Sequence, residues 1–246
     1  MENRILIVGD SCVDLYTYCK TSRLAPDKPV PVLEIVDNTK VPGMAYNVFS
    51  NATSISNVPQ LIDLITNPNW ESVIKNRFVD QASNHMFMRV DSSIPIHRIR
   101  SVTTDYEYET VVLSDYDKGF LTTEDIQSIC ESHPRVFLDT KKVLGPWASS
   151  AKFIKINNHE YERSKDFIDD SMRDKIIQTM GSSGCLYKGE TYPVDKVDVM
   201  DVSGAGDTFM AALAVHYTDT EEIESSIKFA NECASTVVRK KGTSVL

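Results

Sequence analysis

The stretch Asp201–Phe209 places two glycines and a carboxylate at a spacing that suits chemistry on phosphate. Gly204 and Gly206 flank one alanine, and Asp207 follows directly. Glycine leaves no side chain between peptide N–H groups and a ligand. Apolar residues recur at helical spacing from Phe209 onward, so the glycines precede a helix whose free N–H groups and dipole favour an anion. The pattern predicts an anion site that contains one carboxylate, as phosphoryl transfer to a hydroxyl requires.

A second interpretation of this stretch is an ordinary capped helix. Ser203 would then be the N-cap and Asp207 a first-turn acid, with the glycines forming the turn. Short glycine motifs are weak indicators by themselves. Two glycines around an alanine, directly before an acid, are harder to explain by capping alone, so the rest of the chain has to decide.

Composition limits the class of protein. The 246 residues are 41% hydrophobic and 25% charged, which is typical of a soluble globular domain. A net charge of −9 argues against non-specific binding to nucleic acid or to an anionic membrane. The five cysteines show no metal or redox spacing, which favours reduced thiols in a cytoplasmic protein. The first apolar run, Ile5–Val8, is too short for a signal peptide or a membrane span.

Short apolar runs alternate with helical patterns along most of the chain, which predicts an α/β fold with a doubly wound, mostly parallel sheet flanked by helices. The predicted strands are Ile5–Val8, Val111–Asp115, Val136–Asp139, Phe153–Ile156, Ile176–Met180 and a short ribbon through 185–194. The main predicted helices are Thr122–Ser132, one beginning near His159, Gly204–Tyr217 and Glu221–Arg239. Polar residues follow several of these strands, at the sheet edge where such folds bind ligands.

Half-apolar segments predict a small antiparallel β lid, formed by about 12–40 and 84–101. Its strands would contain Tyr16–Tyr18, Val32–Val36, Met86–Val90 and Ile94–Ile99. Between the two parts of the lid we expect a helix that ends near Ser56, a strand at Gln60–Ile65 and a helix at Trp70–Phe78. Because unpaired strand edges seek partners, the lid also favours a homodimer.

Several segments resemble the ribokinase-like (phosphofructokinase-B) carbohydrate kinases, whose C-terminal signature is close to Asp201–Phe209. Within that family, the chain is most similar to the kinase domain of bifunctional heptose-7-phosphate kinase/adenylyltransferases. The segments that carry this similarity are Gly9–Tyr16, Ser22–Val32, Asn84–Asp91, Val112–Gly119 and Lys241–Val245. The resemblance covers nearly the whole chain, so we expect residues 1–246 to form a single kinase domain without the adenylyltransferase domain.

The resemblance implies a role for residues on the substrate side. Asp207 would be the catalytic base, and the amides of Gly204, Ala205 and Gly206 would form the anion hole. The implied sugar-binding residues are Asp10, Asp14, Gly43 and Asn47, and Arg89 and Lys118 are the candidates for the sugar's own phosphate. Arg89 has an alternative role as an ion-pair partner of Asp91, and Lys118 has one as a solvated loop residue.

The resemblance also implies that ATP and Mg²⁺ are bound. Asn157 and Glu160 would organise Mg²⁺ and phosphate through water, as suits a hard cation that keeps its hydration shell. The implied nucleotide-binding residues are Lys141, Asn157, Thr179, Gly181, Gly184 and Asn231, and K⁺ near Asp201 is a further family possibility. Lys141 as a solvated lysine and Glu160 as a first-turn helix acid are the alternatives.

The sequence departs from the family pattern at Met44, where a second glycine is usual, and this side chain is expected to crowd the backbone near the sugar. The regions 57–84 and 91–111 look trimmed. The favoured hypothesis is an ATP-dependent sugar-phosphate kinase acting on the anomeric hydroxyl of D-glycero-D-manno-heptose 7-phosphate. The alternatives are another kinase of the family, acting on a sugar, a ketohexose phosphate or a nucleoside, and a catalytically silent homologue that binds nucleotide or sugar.

Overall fold

The computed structural model describes residues 3–101 and 107–246, which form two sheets and six α-helices. The strands are β1 (Ile5–Gly9), β2 (Ser11–Leu24), β3 (Pro31–Met44), β4 (Ile62–Thr66), β5 (Ile74–Asp80), β6 (Met86–Asp91), β7 (Thr110–Asp115), β8 (Val136–Thr140), β9 (Phe153–Asn157), β10 (Ile176–Thr179), β11 (Cys185–Tyr187) and β12 (Glu190–Tyr192). The helices are α1 (Ala45–Ile55), α2 (Thr123–Ser132), α3 (Asn158–Ser164), α4 (Asp170–Arg173), α5 (Ala205–Thr220) and α6 (Ile223–Val237).

The larger sheet has the strand order β12-β11-β10-β9-β8-β7-β1-β4. All pairings from β10 to β4 are parallel, and β11 and β12 add an antiparallel ribbon. The predicted parallel sheet and ribbon are therefore confirmed. The register aligns Gly9 with Ser114, and Ser114 with Asp139, so the polar strand ends lie side by side at one edge.

The core lies on both faces of this sheet, as the continuous apolar run of β1 predicts. Ile5 and Ile7 belong to one buried cluster, which α1, α5 and α6 cover, whereas Leu6 and Val8 belong to the cluster on the opposite face. Helix α5 is buried along most of its length and packs against both α1 and α6. Its N-terminus is thereby fixed at the sheet edge that carries the polar residues. In the described ranges, no helix combines the length and apolarity needed to cross a membrane.

The smaller sheet has the order β3-β2-β5-β6, and we call it the lid. The long β2–β3 hairpin is antiparallel, as predicted. β6 also pairs antiparallel, but its partner is β5, and β5 pairs in parallel with β2. One residue, Asp10, separates β1 from β2, and α1 follows β3 without a break. The lid therefore extends directly from the sheet edge where the polar residues gather.

Two secondary-structure predictions near the lid were wrong. The predicted helix Trp70–Phe78 is a 3₁₀ turn at Trp70–Ser72 followed by β5, which lies outside the predicted lid bounds. Residues 94–99 form no strand. Pairing between β5 and β2, about sixty residues apart in sequence, overrides the local pattern. The structure thus assigns to the lid a segment that brings Lys75 and Arg77 alongside Asp14 and Tyr16.

Candidate active site

Helix α5 begins in a conformation that only glycine adopts easily. Gly204 is its N-cap, with a left-handed φ of 82°, so the alternative interpretation, with Ser203 as the N-cap, is wrong. The Ser203 amide instead donates to Asp201 Oδ1 at 2.8 Å. A Cβ atom at Gly204 would lie 2.8 Å from Asn47 Nδ2, and one at Gly206 would lie 2.9 Å from Lys155 Nζ. Gly204 is therefore required for its backbone angle, whereas a side chain at Gly206 would displace the Lys155 ammonium group.

Asp207 lies buried in the first turn of α5 with a donor on each carboxylate oxygen. Asn47 Nδ2 donates to Oδ2 at 2.9 Å, and the Tyr116 hydroxyl donates to Oδ1 at 2.6 Å. Burial raises the pKa of Asp207, and although these two hydrogen bonds oppose the shift, the pKa stays above its usual value. The result is a rigidly oriented carboxylate that accepts a proton more readily than an exposed one.

Two lysines surround this helix N-terminus. Lys155, on β9, donates to Asp139 Oδ2 at 2.6 Å, and both side chains are almost fully buried. Lys141 contacts the Glu160 carboxylate, and its Nζ lies 3.7 Å from Asp139 Oδ1. Burial alone would raise the pKa of Asp139, but the charges of Lys155 and Lys141 outweigh it and hold that pKa below its usual value. The two ammonium groups beside the helix N-terminus are of the kind that binds phosphate oxygens.

Asn157 and Glu160 form a reciprocal capping box at the start of α3. Asn157 Oδ1 accepts from the Glu160 amide at 2.9 Å, and Glu160 Oε2 accepts from the Asn157 amide at 2.9 Å. Since Lys141 contacts the other oxygen of Glu160, both carboxylate oxygens already have donors. Asn157 and Glu160 thus form the capping box of α3 and are also the two residues that the resemblance implies for Mg²⁺ and phosphate.

The donor set at this edge fits a hydrated Mg²⁺ better than a directly ligated one. Glu160 is engaged on both oxygens, whereas the buried Asp139 Oδ1 has no hydrogen-bond partner. Among the described residues, no group of three or more His, Cys, Asp or Glu side chains is arranged to hold a metal ion. Hard oxygen acceptors beside phosphate-binding lysines match an ion held through water and through nucleotide phosphates.

The predicted sugar ligands Asp14, Gly43 and Asn47 lie together near the base of the lid. Asp14 is buried and forms an ion pair with Arg77 at 2.5 Å. A Cβ atom at Gly43 would overlap the Asp14 carboxylate. Asn47 links this region to Asp207 through its side-chain amide. The segment Gly43–Asn47, which ends β3 and begins α1, therefore lies against Asp14 at one end and contacts Asp207 at the other.

Asp10 occupies a different position from the other predicted sugar ligands. It is fully buried, and its carboxylate accepts from the amides of Tyr116 at 2.7 Å and Phe120 at 3.2 Å. Burial, followed by the charge of Asp115, raises its pKa above the usual value. Asp10 thus anchors the loop after β7, and its role as a sugar ligand stays a prediction.

The two candidate phosphate ligands are exposed. Arg89 forms a bidentate ion pair with Asp91 at 2.8 and 3.1 Å, as its alternative interpretation predicts, and Lys118 lies in the exposed loop after β7. Arg89 stands opposite Arg77 in the β5–β6 register, so both share one face of the lid. Lys75 contacts the ring whose hydroxyl donates to Asp207: its Nζ is 5.1 Å from the centroid of the Tyr116 ring.

A cavity of about 910 Å³ brings the predicted nucleotide-binding residues together along the sheet edge. It is lined by Lys141, Asn157, Thr179, Gly181, Gly184, Asn231 and the Gly204–Asp207 segment. The Asn231 amide donates to the Tyr192 carbonyl at 2.9 Å, so it fixes α6 to the β ribbon. A smaller cavity of about 300 Å³ lies between Tyr16, Arg77 and Asp201.

Two side chains at the centre of this site, Tyr116 and Lys155, had no predicted role. Lys155 is the one charged residue in the otherwise apolar strand segment Phe153–Ile156, and this irregularity was a usable signal. Tyr116 lay within a recognised polar segment, but nothing in its spacing indicated contact with Asp207. The prediction for Met44 was wrong: its side chain is buried in the core, and the unusual feature is a backbone φ of 62° with ψ of −134°.

The chain is similar to known proteins in both sequence and fold. The model of the pfkB family carbohydrate kinases matches residues 106–246. The bifunctional protein HldE of Helicobacter pylori strain J99 is 30% identical over 98% of this chain, which spans 64% of that protein's length. A nucleoside kinase from Methanocaldococcus jannaschii, an archaeal member of the ribokinase family, superposes with a TM-score of 0.70 at 17% identity, covering 98% of this chain and 93% of that one. Arabidopsis thaliana ribokinase, solved with ribose and ATP, gives 0.69 at 14% identity, with coverage of 98% and 94%. The fold is therefore ribokinase-like.

Proposed function

The chain belongs to the pfkB family of carbohydrate kinases, and from this premise we propose that it transfers the γ-phosphoryl group of ATP to a hydroxyl group of a sugar phosphate. The observation that supports this most directly is the position of Asp207. Its carboxylate lies in the first turn of α5 and lines the larger cavity, and Asn47 links it to the base of the lid. A carboxylate between a nucleotide-sized cavity and a lid suits a general base for phosphoryl transfer.

In the proposed reaction, the acceptor hydroxyl attacks the γ-phosphorus in line with the leaving ADP. The new oxygen–phosphorus bond forms as the bond to the β,γ-bridging oxygen breaks, and ADP keeps that electron pair. Asp207 accepts the hydroxyl proton. The N–H groups at Gly204–Gly206 and the ammonium group of Lys155, which adjoins Gly206, stabilise the negative charge on the transferred oxygens.

Glu160 and Asp139 are the residues that would hold a hydrated Mg²⁺ through water, and Lys141 would contact the nucleotide phosphates beside them. When bound, the cation supplies charge neutralisation for the phosphate oxygens. The cation can approach Glu160 only if Lys141 moves from Glu160 toward the phosphates. The long side chain of Lys141 is one-third exposed and has room for this movement. K⁺ near Asp201 stays a prediction.

The proposed acceptor is a seven-carbon sugar 7-phosphate, phosphorylated at its anomeric hydroxyl. The similarity to HldE over nearly the whole chain supports this choice. The lid offers cations for the sugar's own phosphate: Arg77 and Arg89 share one face, and Lys75 contacts the ring of Tyr116, whose hydroxyl donates to Asp207. Arg77 is paired with Asp14 and Arg89 with Asp91, so Lys75 is the one of these three cations that has no ion pair among the described residues.

A panel of acceptors tests the proposal through the release of ADP from Mg·ATP. The panel contains a heptose 7-phosphate, fructose 6-phosphate, ribose, fructose and adenosine, each with the parent protein and with Asp207→Asn. We expect turnover on the heptose phosphate and its loss in the variant. The matched control is Asp219→Asn, which neutralises an exposed acid at the far end of the same helix.

Each outcome of the panel has a separate meaning. Turnover on another acceptor would keep the chemistry and exclude the heptose. Nucleotide binding without turnover on any acceptor would favour the silent homologue. Equal rates for the parent and Asp207→Asn would exclude Asp207 as the base.

We also propose a homodimer joined through the lids. Strands β3 and β6 form the edges of the lid, and both carry exposed apolar side chains, among them Ile35, Met88 and Val90. Exposed edges with apolar residues favour association with a second chain.

A further inference from the structure

Tyr116 lies at the junction of the lid, the sheet edge and helix α5. It follows β7 directly, and its backbone amide donates to the buried carboxylate of Asp10 at 2.7 Å. The Phe120 amide donates to the other oxygen of Asp10 at 3.2 Å, so the loop between them is fixed at both ends. The backbone that carries the Tyr116 side chain is therefore set by a fully buried anchor.

The Tyr116 hydroxyl and the Asn47 amide hold opposite oxygens of Asp207. The two contacts measure 2.6 Å to Oδ1 and 2.9 Å to Oδ2. One donor on each oxygen fixes the plane of the carboxylate, since rotation about its bond to the Cβ atom would break both contacts. Each oxygen retains a further lone pair, so an acceptor hydroxyl can still approach Asp207.

The Tyr116 ring also lies between groups from the two sides of the site. Lys75, from the lid, has its Nζ 5.1 Å from the ring centroid, and Lys141, from the sheet edge, has its Nζ 5.2 Å away. Burial, reinforced by the negative charge of Asp207, raises the pKa of the Tyr116 hydroxyl well above its usual value. The hydroxyl therefore keeps its proton at neutral pH and acts toward Asp207 only as a donor.

We propose that Tyr116 is a positioning residue for phosphoryl transfer: its hydroxyl orients the Asp207 carboxylate and keeps it ionised until the acceptor hydroxyl arrives. This inference rests on the proposed role of Asp207 as the base. The proton of the acceptor passes to Asp207, and Tyr116 retains its own proton throughout. Its hydrogen bond is strongest to the charged carboxylate and weakens once that group is protonated.

Removal of the hydrogen bond from Tyr116 changes the pKa of Asp207 in a direction that can be predicted. A donor to the ionised form lowers the pKa of a carboxyl group, so Tyr116→Phe raises the pKa of Asp207. The single-turnover rate requires ionised Asp207 and falls on the acidic side of its pH profile. In Tyr116→Phe that acidic limb moves to higher pH by about one unit or more, as expected for a hydrogen bond to a charged group.

The matched control is Tyr217→Phe, which removes the hydroxyl of a buried tyrosine on the same helix as Asp207, where the ring packs against Phe137 and Phe153. Its acidic limb should coincide with that of the parent. A second variant carries 3,5-difluorotyrosine at position 116, which keeps the ring and provides a stronger donor. In the difluorotyrosine variant, the acidic limb of the pH profile should move to lower pH. This variant provides the test if Tyr116→Phe does not fold.

The outcomes separate this inference from the proposed function. Opposite shifts in the two Tyr116 variants, with none in Tyr217→Phe, support the positioning role. An unmoved limb in the Tyr116 variants, with Asp207→Asn inactive, would overturn the role of Tyr116 alone. A parent-like rate in Asp207→Asn would overturn both the base and its positioning residue.

Discussion

Asp207 is held where burial and hydrogen bonding act on its pKa in opposite directions. Burial raises the pKa, Asn47 and Tyr116 lower it, and the result lies above the ordinary value of 3.8. A carboxyl group whose pKa is raised by folding stabilises the fold only while it is protonated. That contribution is complete below the pKa of the unfolded chain and is lost as the pH rises through the folded pKa.

The stability of Asp207→Asn relative to the parent should therefore depend on pH. The parent loses stability at Asp207 as the pH rises from about 3.8 through the higher folded pKa, whereas the amide does not titrate. We expect the difference in unfolding free energy, variant minus parent, to increase across this window and then level off. Urea unfolding at a series of pH values measures it. A difference independent of pH would contradict the raised pKa.

For single residues, a role in the site could be predicted only where the residue belongs to a local sequence motif. Gly204, Gly206 and Asp207 were identified because their spacing has a physical meaning by itself. The pairing of Lys155 with Asp139 depends on the register between β8 and β9, which no local pattern encodes. The hydrogen bond from Tyr116 to Asp207 joins residues 91 apart in sequence, so no local pattern encodes it either. Single residues that act through tertiary contacts are invisible until the sheet is assembled.

At the scale of elements, the capping box of α3 separates two roles of Glu160. Its Oε2 caps the helix, while Oε1 faces Lys141, beside the proposed cation position. Glu160→Gln keeps an acceptor at the cap position but removes the charge. We expect the Mg²⁺ concentration for half-maximal rate to rise several-fold, because the amide holds the hydrated cation less well.

A control for Glu160→Gln exists at α2, whose capping box joins Thr122 and Asp125 away from the cavity. Asp125→Asn makes the same kind of change, so it reports the cost of neutralising a capping acid. Its Mg²⁺ dependence should remain that of the parent. Equal Mg²⁺ dependence in both variants would restrict Glu160 to capping.

Met44 precedes α1 in a backbone conformation that belongs to glycine, with φ of 62° and ψ of −134°. Its side chain is buried, so both Met44→Ala and Met44→Gly lose packing. Only glycine also relieves the backbone strain. We therefore expect Met44→Gly to be more stable than Met44→Ala by about 1 kcal/mol, the reverse of the usual order. Chemical unfolding of both variants measures this, and an alanine variant of equal or higher stability would contradict it.

The elements that were predicted correctly carry their own local signals. β1 is a continuous apolar run because it is buried on both faces, and α2 begins at a capping residue, Thr122. β5 has neither signal: it is partly buried, and its neighbour β2 is distant in sequence. The lid was therefore predicted with the β2–β3 hairpin and β6 correct, but with Ile94–Ile99 as its remaining strand in place of β5.

At the scale of the whole molecule, the lid is joined directly to the part of the structure that holds Asp207. The β2–β3 hairpin passes directly into α1, which carries Asn47 and its bond to Asp207. The segment near the end of the sequence closes the same region, since the Thr243 amide donates to the Tyr16 hydroxyl at 2.9 Å. Any association through the lids therefore acts on elements that also position Asp207.

The proposed lid dimer can be tested on the face that carries Met88 and Val90. These residues lie opposite Phe78 and Asn76 in the register, and each is 52% exposed. Met88→Lys combined with Val90→Lys places two like charges on each partner, so a dimer formed through this face should dissociate. Sedimentation velocity over a range of concentrations measures the change.

Phe167→Lys is the matched control, because this 57% exposed ring lies outside the lid. It should leave the sedimentation of the parent unchanged, and a dimer lost in that variant too would indicate a different interface. Because α1 links the lid to Asp207, we further expect the double lysine variant to lose activity as it becomes monomeric. A monomer with full activity would show that one lid suffices to complete the site.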